Sequence, residues 1–344
     1  MDIADKINLI KNSPTEEIVT ESELLDLLDK ENHPKHYIGL EMSGPLHLGS
    51  LFMTGNKIND FIKAGVKTQI YLADWHSFIN NKLGGNWDNI NTLSEYYEHA
   101  FKFFCPGVNI VRSTQLYEDT DYWMNLIKFC KKINFNRILR CLTIMGRSEK
   151  ENLDFSQYLY PSMQAVDIKT LDLDIVHSGT DQRKIHMLVR EVFPKLGWKV
   201  PVSIHHHIIS GLSVPDAHSN DSQNPKSFTK MSKSQPDKSI FINDSEEIIH
   251  KKIKKTKIVS KEVVNNPVIE YAKYIIFHGN DELTIDRPPK FGGSLSFDNY
   301  SELEQEYRDG KIHPEDLKNS VAIKLNSMID PIRKHLSDYE KLLQ

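Results

Sequence analysis

Tyr37-Ile38-Gly39-Leu40-Glu41-Met42-Ser43-Gly44-Pro45-Leu46-His47-Leu48-Gly49-Ser50 decides how this chain is read. A β-favouring run over residues 36–41 meets a turn built on Ser43, Gly44 and Pro45. His47, Leu48, Gly49 and Ser50 then open an apolar, helix-periodic segment that runs to about Ala64. A strand feeding a glycine-containing turn that opens a helix is how a nucleotide-binding α/β domain brings backbone N–H groups and a helix N-terminus to phosphates. Gly49 would let an adenosine lie against the backbone, where any side chain would take up the volume, and His47 would donate to a triphosphate. Taken alone, the same residues equally describe a first-turn surface histidine.

A second stretch, Lys230-Met231-Ser232-Lys233-Ser234, stands between a polar loop and a charged helical run. Two lysines and two serines in five residues make a mobile cationic clamp for a pyrophosphate leaving group, placing charge where negative charge builds in the transition state. Any one of these residues alone would read as part of a solvated loop. In this order, the two stretches resemble the paired ATP motifs of class I aminoacyl-tRNA synthetases.

The 344 residues suffice for two domains, and 39% hydrophobic with 26% charged residues is ordinary for a soluble globular chain. A net charge of −4 leaves nucleic-acid contacts to local basic patches. Met1-Asp2-Ile3-Ala4-Asp5-Lys6 lacks a cationic-then-apolar signal pattern, and no apolar run approaches membrane-spanning length, so a cytoplasmic setting without a membrane partner is expected. Cys105, Cys130 and Cys141 form neither a Cys-x-x-Cys pair nor an even disulfide set. They read as core fillers, and no metal site is predicted.

Residues 1–30 read as helix, with Thr20-Glu21-Ser22-Glu23 offering a cap. Residues 51–64 form an amphipathic helix ended by Gly65, and residues 66–74 a buried strand whose carboxyl end carries Trp75 and His76, where open α/β sheets bind ligands. His76 reads either as a pocket residue or as a packed histidine. Residues 89–104 form a helix whose Tyr96, Tyr97, Phe101 and Phe104 stripe belongs to a core. A short strand over 108–113 follows, then helix over 121–150 with a basic cluster of Lys128, Lys131, Lys132, Arg137, Arg140 and Arg147. That cluster is a solvated face or an acceptor-stem contact.

On the next helix Tyr160, Gln164 and Asp167 project from one face, an odd set for a core and a sensible one for a small polar ligand carrying an amine. Residues 173–177 read as strand, with Gln182 at the following strand-to-helix turn, and residues 202–206 as the last strand. His205-His206-His207 invites a metal, yet consecutive strand residues face opposite sides and cannot converge on one ion. The polar loop 211–229 is long for a compact domain and delivers the lysine stretch. Beyond Ser239, helices are expected from Ser245 into the basic run 250–257, and over 268–276, 300–308 and 314–336. The boundary is placed near Asp237: 1–236 an α/β domain with a Rossmann-like parallel sheet, 237–344 a small all-α domain.

Tyr37-Ile-Gly, Tyr160-Pro-x-Met-Gln-x-x-Asp167, Asp181-Gln-Arg-Lys184, Arg287-Pro-x-Lys-Phe-Gly-Gly293 and His313-Pro-x-Asp316-Leu-Lys resemble the archaeal and eukaryotic type of tyrosyl-tRNA synthetase, over nearly the whole chain. The tryptophan branch lacks the Gln-x-x-Asp pairing. The resemblance implies a Rossmann-like catalytic domain, a helical insertion over 112–158 that forms a homodimer and reaches the acceptor stem, and a helical anticodon domain. It implies that Tyr37 and Asp167 hydrogen-bond the phenolic oxygen of L-tyrosine and that Tyr160, Gln164 and Gln182 hold its α-amino group, with Gly39, Glu41, Ala73 and His76 completing that pocket. It implies ATP contacts from Gly44, His47, Gly49, Ser50, Lys230, Met231, Ser232, Lys233 and Ser234. For tRNA(Tyr), it implies Asp316 at the first anticodon base, Phe291 and His313 beside that base, and Arg183 at the first pair of the acceptor stem. A pocket that commits buried polar groups to one hydroxyl leaves them unpaired with phenylalanine, and tyrosyl enzymes are themselves the standard instance of this rule.

The first motif of the family usually ends in a second histidine, and here it ends in Ser50; Met42 stands where proline is common. The expected reaction is in-line attack of the tyrosine carboxylate on the α-phosphorus of Mg-ATP, followed by transfer of the tyrosyl group to the terminal adenosine of tRNA. His47, Ser50, Lys230 and Lys233 would be the catalytic set, acting by positioning and charge, with magnesium carried by the phosphates. Three alternatives stand beside this one. They are tryptophan as substrate, a silent tRNA-binding paralogue suggested by Ser50, and a small nucleotidyltransferase, which would need no second domain of this composition.

Overall fold

The computed structural model describes residues 1–146, 151–212, 230–279 and 282–339. Its chain forms two units, Met1–Gly44 with Lys57–His207, and Pro45–Asn56 with Ile208–Gln344.

In chain order the first unit contains α1 (Ile3–Lys11), β1 (Thr15–Val19), α2 (Glu21–Lys30) and β2 (Lys35–Leu40). After α3 (Thr54–Lys63), of which Lys57 onward belongs to this unit, come β3 (Lys67–Leu72), α4 (Asp74–Ile79), α5 (Trp87–Phe104) and β4 (Asn109–Arg112). The helices α6 (Thr114–Tyr117), α7 (Thr120–Cys130), α8 (Phe135–Cys141) and α9 (Phe155–Thr170) precede β5 (Ile175–Gly179), α10 (Arg183–Leu196) and β6 (Val202–His206). The six strands stand in the order β1-β6-β5-β2-β3-β4. All neighbours are parallel except β1 with β6. Parallel strands covered by helices on both faces lose water from both, and every residue of β6 and all but the last of β5 are buried, with the polar His177, His205 and His206 bonded to one another or to neighbouring side chains. From β2 the order runs outward through β3 and β4 on one side and through β5 and β6 on the other. The carboxyl ends of β2 and β5 therefore form the switch point where such sheets take ligands.

Two expectations give way here. Residues 1–30 are not one helix: α1 ends before Pro14, and Thr15–Val19 adds an antiparallel edge strand, Ile18 opposite Ile204. That strand exists through pairing with a segment almost two hundred residues away, which local propensity does not register. The cap itself forms, with Thr20 accepting from Glu23 N–H and Glu23 accepting from Thr20 N–H. Residues 121–146 are likewise broken into α7, α8 and a 3₁₀ turn, with Asn134 capping α8. Of the basic cluster, Lys128, Lys131, Lys132 and Arg140 are exposed and Arg137 pairs with Glu191 at 2.7 Å. Arg147 lies outside the described residues, as does 213–229 of the polar loop.

The histidine triplet alternates as a strand must. His205 meets His186 at 3.0 Å and Glu17 at 2.8 Å, His206 meets His177 at 2.7 Å, and His207 meets Glu16 at 2.5 Å.

The second unit opens with a π-helical turn, Gly49–Met53, and continues with α11 (Glu246–Lys255), α12 (Pro267–Tyr274), β7 (Leu283–Ile285), β8 (Leu295–Phe297), α13 (Tyr300–Arg308) and α14 (Pro314–His335). The helices fall where the sequence puts them. The antiparallel hairpin β7–β8 is an addition to the expected all-α domain, and the units divide the chain differently from the boundary near Asp237. Among the described residues, no helix is long and apolar enough to cross a membrane.

Lys57 closes the first unit's amino-terminal layer. Its fully buried ammonium donates to the carbonyls of Leu9, Ile10 and Asn12 at 3.0–3.1 Å and to the buried Asp60 carboxylate at 3.0 Å, so it caps the end of α1 and neutralises an interior charge. Removing one partner of such a pair leaves the other uncompensated. Lys57→Met should therefore cost roughly 3 kcal/mol. In a thermal melt this should read as a drop of about 10 °C.

Candidate active site

In the first unit the expected substrate residues gather at the switch point. Tyr37 lies on β2, Ala73 and His76 at and after the end of β3, Tyr160, Gln164 and Asp167 on one face of α9, and Gln182 in the 3₁₀ turn after β5. Tyr37, Ala73, His76, Tyr160 and Asp167 are buried, and Gly39 is exposed. Asp167 is the centre of the set. Its Oδ1 accepts from the hydroxyls of Tyr122 at 2.9 Å and Tyr117 at 3.2 Å, and its Oδ2, 3.5 Å from His76 Nε2, is buried without a hydrogen-bond partner. Burial pushes the Asp167 carboxyl up to about 8, against the pull of the nearby Tyr122, Tyr71 and Tyr117 hydroxyls. Burial likewise pushes His76 down to about 3, leaving it neutral.

Tyr37 is raised by burial and by the Asp167 charge, while a hydrogen bond with Gln164 works the other way. The two residues expected at the phenolic oxygen thus share one environment. At the other expected end of the ligand, Gln164 donates to Gln182 at 3.4 Å and Gln182 to the Ile144 carbonyl at 2.8 Å. Glu41 accepts from Tyr160 and from Asn80, each at 2.9 Å, with Lys82 at 3.5 Å. Tyr160 is therefore oriented by a carboxylate.

His47–Ser50 and Lys230–Ser234 belong to the second unit. Leu46 and Leu48 pair through backbone bonds with Ile242 and Ile240, and Met231 N–H donates to Ile209 O. These pairings put His47 and the lysines in one electrostatic environment: burial pushes His47 down to about 3, with Lys233 and Lys230 adding to the shift. Neutral His47 can donate a hydrogen bond but adds no charge. Its Nδ1 accepts from Ser50 N–H at 3.2 Å, which assigns the proton to Nε2.

The Ser50 hydroxyl is engaged in the same turn, accepting from His47 N–H at 2.8 Å and donating to His47 O at 3.0 Å. Ser50 therefore holds His47, a contact the sequence reading, which expected Ser50 at a phosphate, did not include. Gly49 has a packing reason as well as the expected ligand one, because a Cβ there would stand 2.8 Å from Ile209 Cγ2. Gly44, in the first unit, has φ +132° and its carbonyl accepts from Tyr97, so the turn itself needs glycine. Ser232 and Ser234 hydroxyls meet at 2.9 Å, and Ser239 bonds both N–H and C=O of Ser232.

Among the expected tRNA positions, exposed Arg183 is held by Glu17 at 2.8 Å in the first unit. In the second unit, His313 caps α14 by accepting from Glu315 N–H, Asp316 stands in the first turn of that helix, and Phe291 is exposed with Lys290 over its ring. Arg287 donates to Gly293 O and Lys311 O, tying the Phe291 loop to the segment that leads into His313.

Sequence reasoning missed Tyr71, Tyr117 and Tyr122, whose hydroxyls surround Asp167, and Asp74, which accepts from Ser113, Thr114 and Trp75. The only signal was a surplus of tyrosines near the ends of β3 and β4. Hydroxyls on three separate elements cannot be assigned to one carboxylate without the fold.

The family model of the tRNA synthetases class I (W and Y) matches residues 29–330. The chain is 41% identical to a tyrosine–tRNA ligase of Thermococcus kodakarensis, covering 100% of this chain and 98% of that one. It is similar to the crystal structure of a tyrosyl-tRNA synthetase complexed with L-tyrosine from Pyrococcus horikoshii, with TM-score 0.93, 39% identity and coverage of 100% and 98%. For the corresponding complex from Archaeoglobus fulgidus, the TM-score is 0.87 and the identity 34%, over 97% and 100%. This chain belongs to the class I tRNA synthetases (W and Y), and within them to the archaeal tyrosyl type.

Proposed function

We propose that this chain activates L-tyrosine with Mg-ATP and transfers the tyrosyl group to tRNA(Tyr). The observation that carries the reading is Asp167 Oδ2, buried without a hydrogen-bond partner in the environment of Tyr37 and His76. Such an atom costs stability unless a ligand supplies its partner. A para-hydroxyl supplies one, whereas phenylalanine leaves it orphaned.

A tyrosine carboxylate oxygen attacks the α-phosphorus in line, the bond to pyrophosphate breaks, and tyrosyl-adenylate forms. The terminal adenosine hydroxyl of tRNA then attacks the tyrosyl carbonyl and AMP leaves. Lys230 and Lys233 supply positive charge, while neutral His47, its Nε2–H set by Ser50, donates a hydrogen bond without adding to it. Magnesium would travel with the phosphates and spread their charge. Arg183 exchanges Glu17 for the first base pair of the acceptor stem, and Asp316, with His313 and Phe291 beside it, reads the first anticodon base. A cytoplasmic setting follows from the partner tRNA.

The chain acts as a homodimer in this reading, through the insertion. On α7, Trp123, Met124 and Ile127 are exposed, as are Phe135 and Phe155 on the neighbouring elements. Apolar side chains gathered in one segment call for a cover.

Pyrophosphate exchange into ATP tests the activity. It should depend on tyrosine, fail with tryptophan, and fall about 100-fold in kcat in Lys233→Ala; exchange with tryptophan and none with tyrosine overturns the reading. Light scattering at micromolar concentration should find a dimer, and Ile127→Asp should convert it to monomer. The Asp167 carboxyl, at about 8 in the folded chain against an ordinary 3.8, adds stability below pH 4 that is lost as pH rises towards 8. Asp167→Asn keeps an oxygen for the two tyrosine hydroxyls and removes that titration. Without ligand it should match the parent near pH 4 and exceed it by roughly 2 kcal/mol at pH 8, as read by melts at both pH values.

A further inference from the structure

Tyr117 closes α6 in a position set from both sides. Asp74, buried at the start of α4, accepts from the Ser113 hydroxyl, from Thr114 N–H at 3.2 Å and from the Thr114 hydroxyl at 2.8 Å, which pins the first turn of α6. Trp123 donates its indole N–H to Tyr117 O at 3.0 Å, which ties α7 to the same residue. The ring packs edge-on against Trp75 at 5.6 Å. Held in this way, the Tyr117 hydroxyl lies 3.2 Å from Asp167 Oδ1, 3.3 Å from His76 Nδ1 and 3.5 Å from the Tyr71 hydroxyl.

Counting protons assigns the directions. Tyr117 has one hydrogen, and it goes to Asp167 Oδ1. Its two lone pairs then accept from Tyr71 and from His76, so His76 carries its proton on Nδ1 and Nε2 is bare. Oδ1 already accepts from Tyr117 and Tyr122. What remains is a pair of buried atoms without hydrogen-bond partners, His76 Nε2 and Asp167 Oδ2, 3.5 Å apart.

We propose that Tyr117 is a positioning residue that closes a hydrogen-bonded ring around the substrate hydroxyl. Tyr117 O–H donates to Asp167 Oδ1, Asp167 Oδ2–H donates to the substrate oxygen, the substrate O–H donates to His76 Nε2, and His76 Nδ1–H donates back to Tyr117. The ring rests on the tyrosine reading above and adds to it an acceptor for the hydroxyl proton, His76, and a residue that fixes the tautomer. It needs a carboxyl that keeps its proton and an imidazole that stays neutral, as burial makes them. Four donors and four acceptors are satisfied in one direction around the cycle, and phenylalanine breaks it at two buried atoms.

Tyr117→Phe retains the ring packing and removes only the hydroxyl. Exchange kinetics with tyrosine and phenylalanine should show KM for tyrosine rising about tenfold with kcat within about twofold, and kcat/KM for phenylalanine unchanged, so that discrimination falls about tenfold. His76→Ala should lose discrimination to the same degree, and the double variant no more than either alone, because each opens the same cycle. Equal losses with both amino acids, or additive effects in the double variant, overturn the ring. If Tyr117→Phe fails to fold, His76→Ala decides: retained discrimination overturns the ring. A wild-type enzyme that shows no exchange with tyrosine overturns the functional reading and the ring together, whereas an active one with unaltered discrimination in Tyr117→Phe overturns only the ring.

Discussion

A single carboxyl taken out of water organises the first unit. Asp167 is buried on α9 at the edge where β2 and β5 end, and a carboxyl there stays only if neighbouring groups satisfy its oxygens. Tyr117 and Tyr122 satisfy one oxygen and leave the other open. The arrangement is costly without a ligand, which is the general condition of a site built to discriminate rather than to stabilise. The helical segment between β4 and β5 has this as its reason in the molecule: two of its residues hold the carboxyl.

Asp74 performs the complementary task. It begins the helix that carries His76, and it anchors the helix that ends in Tyr117, so one carboxylate sets the distance between them. Placement of polar atoms to within a few tenths of an ångström requires rigid supports behind the contacting groups. Here the supports are a one-turn helix with its first turn pinned and an indole bonded to its last carbonyl.

The second unit solves a different problem, holding a neutral donor beside two lysines. Burial takes the proton from His47 and the two nearby cations reinforce this, so a neutral imidazole with one N–H to donate stands beside the lysines. Ser50 is the residue that directs it. Where the family commonly has a second histidine, this chain has a hydroxyl that closes the turn on both backbone groups of His47. The substitution therefore removes a second imidazole while keeping the first one oriented.

The motifs Tyr37–Ser50 and Lys230–Ser234, the Tyr160, Gln164 and Asp167 face, and the C-terminal helices were legible in the sequence, because helical spacing and strand alternation are local properties of a few neighbouring residues. The same local geometry foresaw that His205 and His206 would diverge. Strand β1 was not legible, since a five-residue run with little apolar content becomes a strand only by pairing with β6. Neither was the contact of the Ser50 hydroxyl with both backbone groups of His47, which the turn brings about. Residue types and spacing pointed by themselves to an α/β chain with a polar ligand face on α9, and the resemblance of its motifs to a known family added tyrosine. Only the tertiary structure decided which hydroxyls meet at Asp167, because β3, α6, α7 and α9 bring them together across as many as ninety-odd positions of sequence and no local pattern encodes a convergence of that range.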